Sequence, residues 1–187
     1  MVPRSTKCKY LWLVRNPKDV CTSYYHFYRG WESLGFKDGS FDVFLELFLK
    51  GEVDTSCWFD HTLELSSRIN DDNLMLVKYE EVLKEPRAYI QSLADFLGGK
   101  AKETASNPDL LEKTLEKSSY ASMSKDQNTL VVQDVWVNKQ NAMVRKGTKN
   151  DWRNQFTRKQ SDKFDAVYKE RMGGTMFEDW WKEDMTY

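Results

Sequence analysis

The feature that most constrains this chain is a pair of short apolar runs, KYLWLV at residues 9–14 and NLMLVKY at residues 73–79. Each is rich in large and β-branched side chains and too short for a helix, so each reads as a buried strand. The first ends at Arg15-Asn16-Pro17, where Asn16 can cap a helix, Pro17 suits its first position and Asp19 suits the positive end of its dipole. That helix should run through SYYHFYR and stop at Gly30. The order strand, helices, strand, helix predicts an α/β fold with a parallel sheet. Both strands read as buried on two faces, which requires neighbours on each side. Two parallel strands are not a sufficient core, so the sheet is expected to be incomplete at the N-terminus.

The remaining segments follow from period and punctuation. Residues 38–50 should be helical through Phe41, Phe44, Leu45 and Phe48, with Gly51 ending the run, and a third helix is expected over 56–69. Pro86 opens another, carrying Ile90, Leu93, Ala94 and Leu97 on one face and closed by Gly98-Gly99. Residues 100–108 read as a loop, and Pro108 starts a short helix to about Lys117. The stretch 118–150 is polar and lacks a period, which makes it a functional-loop candidate. Thr157 with Gln160 has the form of a capping box, and the helix it starts should turn Phe164, Val167, Tyr168 and Met172 inward. The Trp- and acid-rich tail, 175–187, is expected to pack back on the body.

Composition narrows the function classes. A net charge of −1 offers no global attraction to nucleic acid or anionic lipid, so any anion site must be local. The three cysteines, Cys8, Cys21 and Cys57, lack metal-ligand spacing and read as reduced thiols. His26 and His61 are the only histidines and sit in no metal motif, so no metal is expected. No apolar run approaches the roughly 20 residues of a membrane span, and no secretory signal is visible. A soluble, cytoplasmic chain of one domain is the expectation, with no nucleic-acid or membrane partner.

Two segments carry candidate chemistry. Arg15 would sit at the carboxyl end of a parallel strand, where open α/β folds bind ligands. Ser23 follows about two helical turns later, so a planar fork of donors and a hydroxyl could face one small anion. The alternative is a surface Arg, a helical Ser and plain aromatic core. In the second segment, Arg145 and Lys146 flank Gly147, a combination that lets positive charge and backbone N–H groups approach an anion together; a solvated basic loop remains the alternative. Tyr79, Ser118, Ser119 and Tyr120 could edge or stack on a purine, or be core and rim.

Together, RNPKDVCTSYYHF and RKGTKNDWRNQFT resemble the two nucleotide-binding signatures of the cytosolic sulfotransferases, in the right order and over nearly the whole chain. The resemblance implies a P-loop-like parallel sheet with helices on both faces, and the co-substrate 3′-phosphoadenosine 5′-phosphosulfate (PAPS). The sulfuryl group would pass to a small acceptor, whether phenol, steroid, alcohol or amine. It implies that Arg15 and Ser23 bind the 3′-phosphate with Arg145, Lys146 and Gly147. Tyr79 and Ser118 would approach the adenine edge, Tyr120 would stack, and Met143 and Val144 would flank the nucleotide.

Departures from the pattern modify these expectations. The family's phosphosulfate loop with its Lys, and the catalytic-base His just before the first strand, have no counterpart in Met1 to Lys9. Residues 1–187 are therefore expected to be the C-terminal part of one sulfotransferase domain, with no catalytic residue assigned and no turnover alone. Asn150 stands where the family has Gly, and Arg153 where it has Lys. Arg158 replaces an apolar residue of the dimer motif, so a homodimer through it is not expected. The rival is a non-catalytic nucleotide-binding or interaction module. An ATP-using phosphotransferase is disfavoured because the chain contains no GxxxxGK[ST] loop.

Overall fold

A computed structural model describes residues 5–130 and 144–187. Strands β1 (Tyr10–Val14) and β2 (Leu74–Lys78) pair in parallel, with Tyr10 opposite Leu74 and Val14 opposite Lys78. The crossover between them is helical: α1 (Pro17–Gly30), α2 (Phe41–Lys50) and α3 (Trp58–Ser66). After β2 come α4 (Tyr79–Lys84), α5 (Pro86–Leu97), α6 (Gly99–Ser106), α7 (Pro108–Ser118) and α8 (Tyr120–Leu130). A 3-10 turn (Asp151–Asn154), α9 (Arg158–Met172) and α10 (Lys182–Met185) complete the described chain.

The local signals act as read. The Asn16 side chain accepts the Lys18 N–H, Pro17 opens α1, and Asp19 lies in its first turn. Thr157 and Gln160 form a reciprocal capping box at α9. The core lies between the inner face of β1 and the aromatic faces of α1, α2, α3 and α9. Tyr25 meets Phe41 and Tyr28 meets Phe44 edge-on, at 5.2 and 5.0 Å between ring centroids. Phe164, Met172 and Phe177 are completely buried, and each such side chain contributes about 1.5–3 kcal/mol. The tail does fold back: Phe177 packs edge-on against Trp12 of β1 at 5.9 Å.

Several expectations need correction. Only Trp12 and Val14 of β1 are buried, while Leu11 and Leu13 are 48% and 56% exposed, so among the described residues β1 is covered on one face. Residues 100–108 are largely helix α6, and part of the 118–150 stretch is helix α8. Both helices lack an apolar stripe to betray them, although Ala101, Lys102, Glu103 and Ala105 are good helix formers. Helix α3 begins at Trp58 rather than 56 because Ser56 has a left-handed backbone, φ 71°. Tyr79 opens α4 instead of ending β2.

Candidate anion-binding cleft

The parallel register sets Val14 beside Lys78, so the chain leaves both strands at the same end of the sheet, through Arg15 and Tyr79. The Arg15 guanidinium lies over the Tyr79 ring, 4.5 Å from its centroid. One Arg15 Nη donates to the Thr148 carbonyl at 3.0 Å. Its Nε is buried without a hydrogen-bond partner. A buried donor in this condition is costly.

That cleft has a volume of about 170 Å³ and is lined by Arg15, Asp19, Thr22, Ser23, Tyr79, Arg145, Lys146, Gly147, Thr148 and Asp151. Three cations therefore face two carboxylates, a local positive excess within a chain of net charge −1. Of the residues singled out in the sequence, Arg15, Ser23, Tyr79, Arg145, Lys146 and Gly147 come together here, although as many as 132 positions separate them. Tyr120 is not a lining residue, but its ring packs on Gly147, where an added Cβ would lie 3.2 Å from it. With φ at 61°, Gly147 is a position that glycine alone occupies without strain. Ser118 is not brought to the cleft: its hydroxyl donates back to Thr114 and Leu115 in its own helix, at 2.8 and 3.3 Å. Val144 is half-buried beside Arg145 without lining the cleft, and Met143 lies outside the described residues.

Two carboxylates organise the cations. Asp151 accepts Arg145 at 2.6 Å and Lys146 at 2.9 Å, together with the Asn154 amide at 2.9 Å. Burial pushes its carboxyl up. The hydrogen bonds from Lys146 and Asn154 and the charges of Lys146 and Arg145 outweigh that, leaving it below its ordinary 3.8. Because folding lowers this pKa, its stabilisation is complete above 3.8 and disappears as pH falls through the lower folded value. The urea midpoint of Asp151→Asn should therefore fall less steeply than wild type's between about pH 5 and about pH 2. Parallel pH profiles would contradict the assignment.

Asp19 is the second organiser, and sequence reasoning valued it only for the helix dipole. Its carboxylate accepts the backbone N–H groups of Asn150 and Trp152, at 2.7 and 3.0 Å, and lies 3.7 Å from Arg15. It is 1% exposed. Burial raises its pKa against the opposing N–H groups and the Arg15 charge. The i, i+4 spacing from Arg15 was the signal available in the sequence. Thr22, Thr148 and Asp151 are the other lining residues the sequence did not single out.

Asn150 occupies a backbone conformation that favours glycine, the residue the resemblance implies at this place. Its φ is 66°, the left-handed region, which Asn tolerates better than other side chains. Replacing Asn150 with Ala should cost about 1–2 kcal/mol by urea unfolding, whereas Gly should stay within about 1 kcal/mol of wild type. An Ala variant as stable as wild type would show that this conformation is not required.

Fold and site together define an α/β protein with a cationic cleft at the carboxyl end of a parallel strand pair. The family comparison makes this specific. A family model, the sulfotransferase domain, matches residues 2–176, and the chain belongs to the sulfotransferase family. It is 34% identical over 171 residues to rat sulfotransferase 1C2 and 37% over 174 residues to rat sulfotransferase 2A1, with 91% of the chain covered in both cases. It spans only 57% and 58% of those relatives' lengths. Among solved structures it resembles mouse sulfotransferase SULT7A1 complexed with PAP, at 32% identity and a TM-score of 0.79, covering 95% of this chain and 62% of that one. Retinol dehydratase in complex with androsterone and the inactive cofactor PAP gives 25% identity and 0.77, covering 90% and 48%.

Proposed function

We propose that the cleft binds the 3′-phosphate of PAPS, and that the protein is a sulfotransferase moving the sulfuryl group to a hydroxyl or amine of a small acceptor. The observation that carries the reading is the convergence of Arg15, Ser23, Arg145, Lys146 and Gly147 on one cleft from two distant segments. The residues suit a dianionic phosphate. Arg supplies a planar fork of donors, Lys a point charge and Ser a hydroxyl.

PAPS itself supplies the activated sulfuryl group. The contribution of these residues is to bind and orient its nucleotide end. Tyr79 keeps the Arg15 guanidinium flat, and Tyr120, packed on Gly147, offers an exposed ring at the rim for the adenine. The structural neighbours solved with PAP support the same reading, and the androsterone complex of one of them supports an apolar alcohol as the acceptor class. We read residues 1–187 as the C-terminal part of one such domain. Three thiols outside any disulfide fit a cytoplasmic setting.

Ser23 provides a clean test because it lies exposed on α1 at the cleft. In calorimetry with adenosine 3′,5′-bisphosphate, Ser23→Ala should lose about tenfold in affinity, the size of one hydrogen bond to a charged group. An unchanged affinity would remove Ser23 from the site.

A further inference from the structure

The anion loop, residues 145–150, is held from behind by a part of the chain outside the segment that the family pattern matches. The match ends at residue 176, yet Asp184 touches three elements of the site. Its carboxylate Oδ1 accepts Lys149 Nζ at 3.3 Å and the Asn150 side-chain amide at 3.2 Å. Its backbone carbonyl accepts Trp152 Nε1 at 2.9 Å and the Asn16 side-chain amide at 3.1 Å. The first pair fixes the loop, and the second ties it to the 3-10 turn and to the cap of α1.

Resting on the nucleotide reading above, we propose that Asp184 is a positioning residue for the phosphate-binding loop. Asn150 is where the two anchors of the loop meet. Its left-handed backbone is held by Asp19 through the N–H and by Asp184 through the side chain. With both anchors, the turn after Gly147 has one orientation, and Arg145 and Lys146 are presented together. Lys149, by contrast, is not a lining residue, and Asp184 holds it away from the cleft. That ion pair is more than half exposed on the lysine side, so it contributes little to stability.

The tail's own seat does not depend on the Asp184 carboxylate. Lys18 Nζ donates to the Met185 carbonyl and Lys78 Nζ to the Trp180 carbonyl, both at 2.7 Å, and Trp181 is buried. Changing the Asp184 side chain therefore loosens the loop while leaving the tail packed. It also separates positioning from folding.

The test compares Asp184→Ala with Asp184→Asn in the 187-residue chain. Adenosine 3′,5′-bisphosphate should bind Asp184→Ala about fivefold more weakly, the effect of one lost hydrogen bond. Asp184→Asn should stay within about twofold of wild type, because its amide oxygen still accepts from Asn150. Hydrogen exchange gives a readout independent of nucleotide: the Asn150 amide should exchange faster in Asp184→Ala, while α9 amides stay as in wild type. Unchanged affinity and exchange in Asp184→Ala would overturn the proposal. Faster exchange throughout α9 would overturn it too, by making the residue merely structural. If wild type binds no nucleotide, the functional reading falls, and the exchange result alone decides the positioning claim.

Discussion

Arg15→Ala is expected to weaken binding of adenosine 3′,5′-bisphosphate by about 100-fold, close to 3 kcal/mol at about 1.4 kcal/mol per tenfold. The expectation rests on position and orientation. Arg15 is fixed at the strand end by the Tyr79 face and the Thr148 carbonyl, so its fork meets a phosphate without losing much rotamer freedom. Removing a fixed, half-buried charge from an anion site takes away charge-assisted hydrogen bonds, each about 1.5–3 kcal/mol. Arg15→Lys should restore only part of the affinity, since an ammonium has neither the fork nor the stacking plane. A loss below about fivefold in Arg15→Ala, with the fold intact by circular dichroism, would place the phosphate elsewhere.

The second large effect belongs to stability. Asp19→Ala should cost about 3 kcal/mol by urea unfolding, because two backbone N–H groups lose their buried acceptor and Arg15 loses a neighbouring charge. Nucleotide affinity should fall with it, since Asp19 is the bolt between α1 and the turn that follows the anion loop. Asp19→Asn keeps one acceptor oxygen and should recover part of the loss. A cost under about 1 kcal/mol for Asp19→Ala would mean that the turn is held elsewhere.

What could be read from the sequence was whatever local chemistry determines. The Asn16-Pro17 helix start and the Thr157/Gln160 capping box act within one turn, and both stand in the structure as expected. The Arg15 and Arg145-Lys146-Gly147 segments each suggest an anion by residue type, but it is the resemblance to the sulfotransferase signatures that pairs them across the sequence. Helices α6 and α8 were illegible for the opposite reason: α6 buries no residue, and neither sequence has an apolar stripe, so both carry propensity without period. The covering of β1 on one face only depends on which elements reach Leu11 and Leu13, which no local pattern reveals. Asp19 and Asp184 act by folding onto turns 131 and 34 residues away, and a lone Asp advertises no such partner.

If the cleft reads a 3′-phosphate, the affinity ratio of two nucleotides will show it. Calorimetry of the wild-type chain should show adenosine 3′,5′-bisphosphate binding at least about 100-fold more tightly than adenosine 5′-phosphate, which lacks that group. Equal affinities for the two would contradict the assignment of Arg15, Ser23 and the Arg145–Gly147 segment to that phosphate.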